Sequence, residues 1–311
     1  MRILFLCLAL FQPHSSQDRS EATPPGADTA TLRLRLTDRV DRAPIAYEVV
    51  RNNILFRVTI NGHPATVLLD NGADRTLIDR SFAQRVGIGL RPSNRRVVTS
   101  ALTEVATATT DAVTIEAARS FRAEGAMVAL DLRPVERALG KPIDAVLGSD
   151  VLDHFALLID PRARQLSFHQ GGSAKPMTGT TSLQIGPGST VAAELNEQKV
   201  GLRIDLGYSG VIRLSKSAWQ RVIPAGAPTR DGSQTSADGT TRATQIGEAA
   251  LRIGSVRIDR VPVDSGYVPA GTADGLLGNG FLSRGPFILD QKGRQLLLLP
   301  RQQRPDGPRT P

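Results

Sequence analysis

A single cysteine in 311 residues closes off several chemistries at once. With Cys7 alone, the folded body has no disulfide framework, no cysteine-based metal site and no thiol nucleophile. Histidine is nearly as scarce, and His14, His63, His154 and His169 are too scattered in sequence for a metal centre. None of them stands near Ser209 in "GYSG" to suggest a catalytic triad, and Gly-x-Ser-x-Gly is missing altogether. No phosphate-cradling glycine loop occurs. Aromatic residues make up only 4% of the chain, which argues against a surface that stacks nucleic-acid bases. Long apolar runs are missing too. The longest, Ile3 to Phe11, is too short to span a bilayer but has the length of a signal-peptide core. Residues 1–18 are therefore predicted to be an export signal, giving a periplasmic or secreted protein. The competing reading is peripheral membrane association through an uncleaved N-terminal segment. No later stretch is apolar enough to cross a membrane, so the remaining body is expected to be soluble.

What is present is an ordinary globular balance, 40% apolar and 22% charged, in a chain long enough for a large core. The net charge of +8 comes mostly from arginines spread along the whole chain. Even the densest run, "GLRPSNRRVV", reads as solvated surface, and no nucleic-acid partner is expected. Residues 19–44 read as a flexible leader ending in a first strand, where "TLRLRL" alternates strictly. "ILFRVTINGHPATVLLD" gives two β-rich runs around Asn61-Gly62, a strong hairpin signal. "DRSFAQRVGI" then predicts a helix capped by Asp79, and residues 97–130 read as several short strands.

The chain also repeats itself. "SFAQRV" at 81–86 returns as "SAWQRV" at 217–222, and "VVTSALTEVAT" has a partner in "SQTSADGTTRAT". "DAVLGSDVLDHFALLIDPRARQLSF" from Asp144 aligns without a gap to "DGLLGNGFLSRGPFILDQKGRQLLL" from Asp274, 130 positions on. The expected organisation is a first lobe at 45–170, a linker at 171–185, a second lobe at 186–300 and a disordered tail at 301–311. Asp144, Asp274, Asp160 and Asp290 are read as turn acids. The one grouping of ligand-type side chains, Asp150, Asp153 and His154, has Gly280, Ser283 and Arg284 as its counterpart, which excludes a duplicated metal site. No metal and no cofactor are expected.

Two acids fall at matching places, each after an apolar strand and two residues before a glycine: Asp70-Asn71-Gly72-Ala73 and Asp205-Leu206-Gly207-Tyr208. Each repeat later carries an apolar-apolar-Gly element, Val146-Leu147-Gly148 or Leu276-Leu277-Gly278. This order resembles the pepsin and retropepsin superfamily of aspartic proteases, in a bacterial-type two-repeat form, over about residues 45 to 300. The resemblance implies an all-β, two-lobed fold with a few short helices. It implies Asp70 and Asp205 as the catalytic pair, with Asn71, Gly72, Ala73, Leu206, Gly207, Gly148 and Gly278 supporting the loops. It also implies flap contacts at Ala101, Leu102, Asp238 and Gly239, a peptide or protein substrate, and a monomer. Two carboxylates held close cannot both ionise, so one becomes a base and the other an acid, as amide hydrolysis by water requires. Family members carry Thr or Ser after each aspartate, whose hydroxyl bonds across to the other loop. Asn71 can donate and accept in that role, and Leu206 cannot. The departure favours a second reading, a catalytically impaired protein that binds extended peptides without cleaving them.

Overall fold

The computed structural model describes residues 44–99, 104–117, 120–236, 238–268 and 273–300, with strand segments at 2–4, 8–9 and 33–36. The protein is mostly strand, and its five α-helices among the described residues are four to seven residues long. Local chemistry accounts for many of the element boundaries. Asn61 (φ 49°) and Gly62 (φ 79°) take the left-handed conformations of a type I′ hairpin turn between Asn53–Ile60 and His63–Leu69. Asn196 and Glu197 turn the matching hairpin of the second repeat, Thr190–Leu195 with Gln198–Asp205. The two turns are anchored alike: the Asn61 side chain accepts from Thr114 N–H, and the Asn196 side chain accepts from Ala250 N–H. Asp79 caps the helix Arg80–Arg85 by accepting from Phe82 N–H at 2.9 Å, as its sequence predicts.

Each repeat builds the same layered unit. In the first, Ala145–Leu147 lies parallel to His63–Leu69 and antiparallel to Leu77–Asp79. In the second, Gly275–Gly278 lies parallel to Gln198–Asp205 and antiparallel to Ile212–Leu214. Of the acids read as turn residues, Asp160 and Asp290 hold turns, whereas Asp144 and Asp274 tie their segments to distant strands. Asp144 accepts from Thr66 N–H and Asp274 from Gly201 N–H, both at 2.9 Å, while Arg85 and Arg221 bind their other oxygens. Asp160 accepts from the amides of Arg162 and Ala163, and Asp290 from those of Gly172, Ala174 and Gly293.

The repeats meet along a shared antiparallel sheet. Phe155–Asp160 pairs with Phe287–Asp290 in the register Leu157↔Leu289, Leu158↔Ile288, Ile159↔Phe287. Leu158 and Ile288 are themselves 130 positions apart, so the pairing is self-complementary about an approximate two-fold axis between them. Thr181–Gln184 joins this sheet by pairing with Gln295–Leu298. Four of the nine phenylalanines, Phe56, Phe121, Phe155 and Phe168, gather in the first repeat's core, with centroids of Phe121 and Phe168 4.7 Å apart. A second apolar cluster (Ala73, Leu77, Val128, Leu132, Val135, Leu139 and Val146 among its members) sits beneath the helix Arg133–Leu139. Two short segments of the N-terminal run also pair with strands: Arg2–Leu4 runs parallel to Arg230–Thr235, and Leu8–Ala9 antiparallel to Leu90–Thr99.

Candidate active site

Asp70 follows the strand His63–Leu69, and Asp205 ends the strand Gln198–Asp205. Because the two repeats face each other across the two-fold axis, both acids arrive at the same place. Each carboxylate is fully buried. Each accepts from the amide of the glycine two residues on, Gly72 N–H to Asp70 at 2.8 Å and Gly207 N–H to Asp205 at 2.9 Å. A Cβ on Gly72 would lie 2.7 Å from Asp205 Oδ1, and one on Gly207 would run into the Asp70 carboxylate. Glycine is therefore required in each loop by the approach of the opposite acid. The other oxygen of each aspartate, Oδ2, is buried without a hydrogen-bond partner among the described residues.

Burial pushes the Asp70 carboxyl well above the usual carboxylate range, and the neighbouring Asp205 charge pushes it further. Burial also raises Asp205, against the opposing pull of the Arg203 guanidinium.

The loop link is kept by other means than a pair of hydroxyls. The Asn71 carboxamide donates to Ile204 C=O at 3.0 Å and accepts from Leu206 N–H at 2.7 Å, both across the repeat boundary. Leu206 thus contributes its backbone to the link, while its side chain is buried in the core. Its carbonyl in turn accepts from the Asn279 side chain at 2.5 Å. Beneath the loops, Asp70 N–H donates to Leu147 C=O, and Asp205 pairs with Gly278 in the parallel ladder. Ala73 and Tyr208 carbonyls accept from Ser149 and Asn279 amides, which fastens each loop to its apolar-apolar-Gly element.

Asp70, Asn71, Gly72, Ala73, Gly148, Asp205, Leu206, Gly207 and Gly278 are accordingly brought together. In the turn Asp238-Gly239, Asp238 accepts from the Thr240 amide at 3.0 Å and from the Thr240 hydroxyl at 2.9 Å. The turn closes the hairpin between Arg230–Thr235 and Thr241–Ile253, with Gly239 at φ 85°, and reaches across to Pro134 on the first repeat's helix. Ala101 and Leu102 lie outside the described residues. Sequence reasoning passed over Asn279, Thr76 and the polar partners of Tyr208. Asn279 carried a signal: it is a polar side chain directly after Leu276-Leu277-Gly278, where the first repeat has Ser149.

Residues 56–151 match a family model, that of an aspartyl protease. The matched segment runs from within the strand Asn53–Ile60 to within the helix Ser149–Leu152, and so takes in the first loop and its supporting element. It supports a protease-type hydrolase. No curated protein matches the chain.

Proposed function

We propose that the protein is an aspartic endopeptidase that hydrolyses peptide bonds with a water molecule activated between Asp70 and Asp205. The observation that carries this reading is the facing pair of fully buried carboxylates, each held by its own Asp-x-Gly amide and each with one oxygen left without a partner among the described residues. In such a pair the ionised acid takes a proton from water as it attacks the carbonyl. The protonated acid donates to the developing oxyanion, and the proton is then passed to the leaving amine. The proton belongs to the pair, so neither acid has a permanent role. The strands Arg230–Thr235 and Leu90–Thr99 already accept Arg2–Leu4 and Leu8–Ala9 by backbone pairing, and edges of that kind suit an extended peptide. The proposal includes two lobes at about 45–170 and 186–300, a monomer, export directed by the N-terminal apolar run, and no cofactor.

The test is cleavage of a diverse peptide mixture between about pH 3 and 7 by wild type, Asp70→Asn and Asp205→Asn in parallel. Cleavage by wild type that disappears in both variants is the expected result, with a loss on the order of 10³-fold or more. A folded wild type that cleaves nothing at any pH would sink the reading and favour peptide binding without catalysis.

A further inference from the structure

The two aspartate loops are held from below by different devices. In the first repeat, Thr76 donates to Asp150 through both its amide (2.8 Å) and its hydroxyl (2.7 Å), and that hydroxyl accepts from Gly148 N–H at 3.1 Å. This clamp ties the Asp70 loop to its supporting element. The second repeat has lost both ends of it. Ladder register equates Leu77, opposite Val146 and Val128, with Arg213, opposite Leu276 and Asp264. Thr76 therefore corresponds to Ile212, and Asp150 to Gly280.

The same register exposes a coordinated exchange. Ala73, Leu77 and Val128 belong to one apolar cluster in the first repeat. Their counterparts are Tyr208, Arg213 and Asp264, and all three are buried. Arg213 Nη2 donates to Asp264 Oδ2 at 2.5 Å, the Arg213 guanidinium lies 4.7 Å over the Tyr208 ring, and the Tyr208 hydroxyl reaches Asp264 at 3.4 Å. The ring is wedged so closely that a Cβ on Gly278 would come within 2.5 Å of it, and one on Gly210 would meet its hydroxyl. A buried ion pair is a poor way to add stability where an apolar set fills the same position in the sister repeat. Its contact with the loop of Asp205 points to a different use.

We propose that Tyr208, Arg213 and Asp264 are the positioning residues of the second aspartate loop. The ion pair fixes the Tyr208 ring, and the ring fixes the backbone of Asp205-Leu206-Gly207, in place of the Thr76–Asp150 clamp. The inference rests on the reading of Asp70 and Asp205 as a catalytic pair. Charges also bear on Asp205: Asp70 faces it from the other loop, Arg203 lies on its own strand and Arg213 on the next. Arg203 has its own carboxylate in Asp74, 3.9 Å away, so removing Arg213 with Asp264 leaves that pair in place.

The experiment compares wild type with Arg213→Leu/Asp264→Val, which places the first repeat's residues at both ladder positions, and with Arg213→Lys. The readouts are kcat and KM on a peptide that wild type cleaves, and the pH titration of the Asp205 carboxyl followed by ¹³C NMR. The double variant is expected to fold and to lose about 10- to 100-fold in kcat with KM nearly unchanged, as a misplaced carboxylate would. Its Asp205 titration and the acid limb of kcat/KM should both move to higher pH, because the Asp205 carboxylate is held less well in a displaced loop and the downward pull of the Arg213 guanidinium is gone. Arg213→Lys should restore the titration while recovering only part of kcat, since an ammonium lacks the flat face that stacks on the ring. A folded double variant with wild-type kcat and an unshifted titration overturns the proposal. If the double variant does not fold, wild-type kcat in Arg213→Lys overturns it. If wild type cleaves no peptide, the catalytic reading fails by itself, and the titration still decides whether Arg213 and Asp264 set the state of Asp205.

Discussion

Asn71 shows how one side chain can do the work of two. Its carboxamide is both donor and acceptor, so it can satisfy Ile204 C=O and Leu206 N–H together, where a hydroxyl pair would divide the task. Truncation to alanine would leave two buried backbone groups of the other repeat without partners. Asn71→Ala should therefore cost about 2–4 kcal/mol in stability, read by urea unfolding. It should also lower peptide cleavage on the order of 100-fold through misplacement of Asp205. A variant with wild-type cleavage would mean that the loops hold their positions without the link. The donor-and-acceptor capacity of Asn71 is visible in the sequence. Its partners are not, because a side chain at Leu206 says nothing about where that residue's backbone amide points.

The decisive elements are the two short strands, Phe155–Asp160 and Phe287–Asp290, that pair across the axis. Phe287 and Leu289 from one repeat and Leu157 and Ile159 from the other are all buried in this ladder. Phe287→Ala removes a large side chain from a packed position and is expected to destabilise by about 3–5 kcal/mol, measured by chemical denaturation. A cost below about 1 kcal/mol would show that the ladder is not a principal bond between the repeats. The helix Arg133–Leu139 is one element that sequence reasoning passed over. It holds seven residues, with a proline in its first turn and Val135 and Leu139 facing the apolar cluster. A helix that short shows barely two turns of periodicity, so only the cluster it covers reveals it.

For the whole molecule, the buried pair couples stability to pH. A carboxyl raised in the folded state binds its proton more tightly there than in the unfolded chain. Its stabilising contribution is complete below the unfolded value, near 4, and is lost as pH rises toward and through the folded value. Asp70 is raised well above that range by burial and by Asp205. Asp70→Asn is thus expected to melt at a higher temperature than wild type at pH 7, with the advantage shrinking as pH falls to about 4. Thermal melts by circular dichroism across that range check it, and an advantage independent of pH would contradict the burial of an ionisable pair. By itself the sequence determined the mainly β character, the duplication, the two Asp-x-Gly loops, the Asn61-Gly62 turn, the Asp79 cap and the turn acids Asp160 and Asp290. Each of these is set by residues within a few positions of one another, or by a pattern written twice. Only the tertiary structure decided that Asn71 meets backbone groups 133 and 135 positions away, that Asn279 holds Leu206, and that Arg213 and Asp264 are buried against Tyr208. Those contacts, and the raised carboxyl of Asp70, come from burial and long-range approach, which exist only once the two repeats have packed about their common axis.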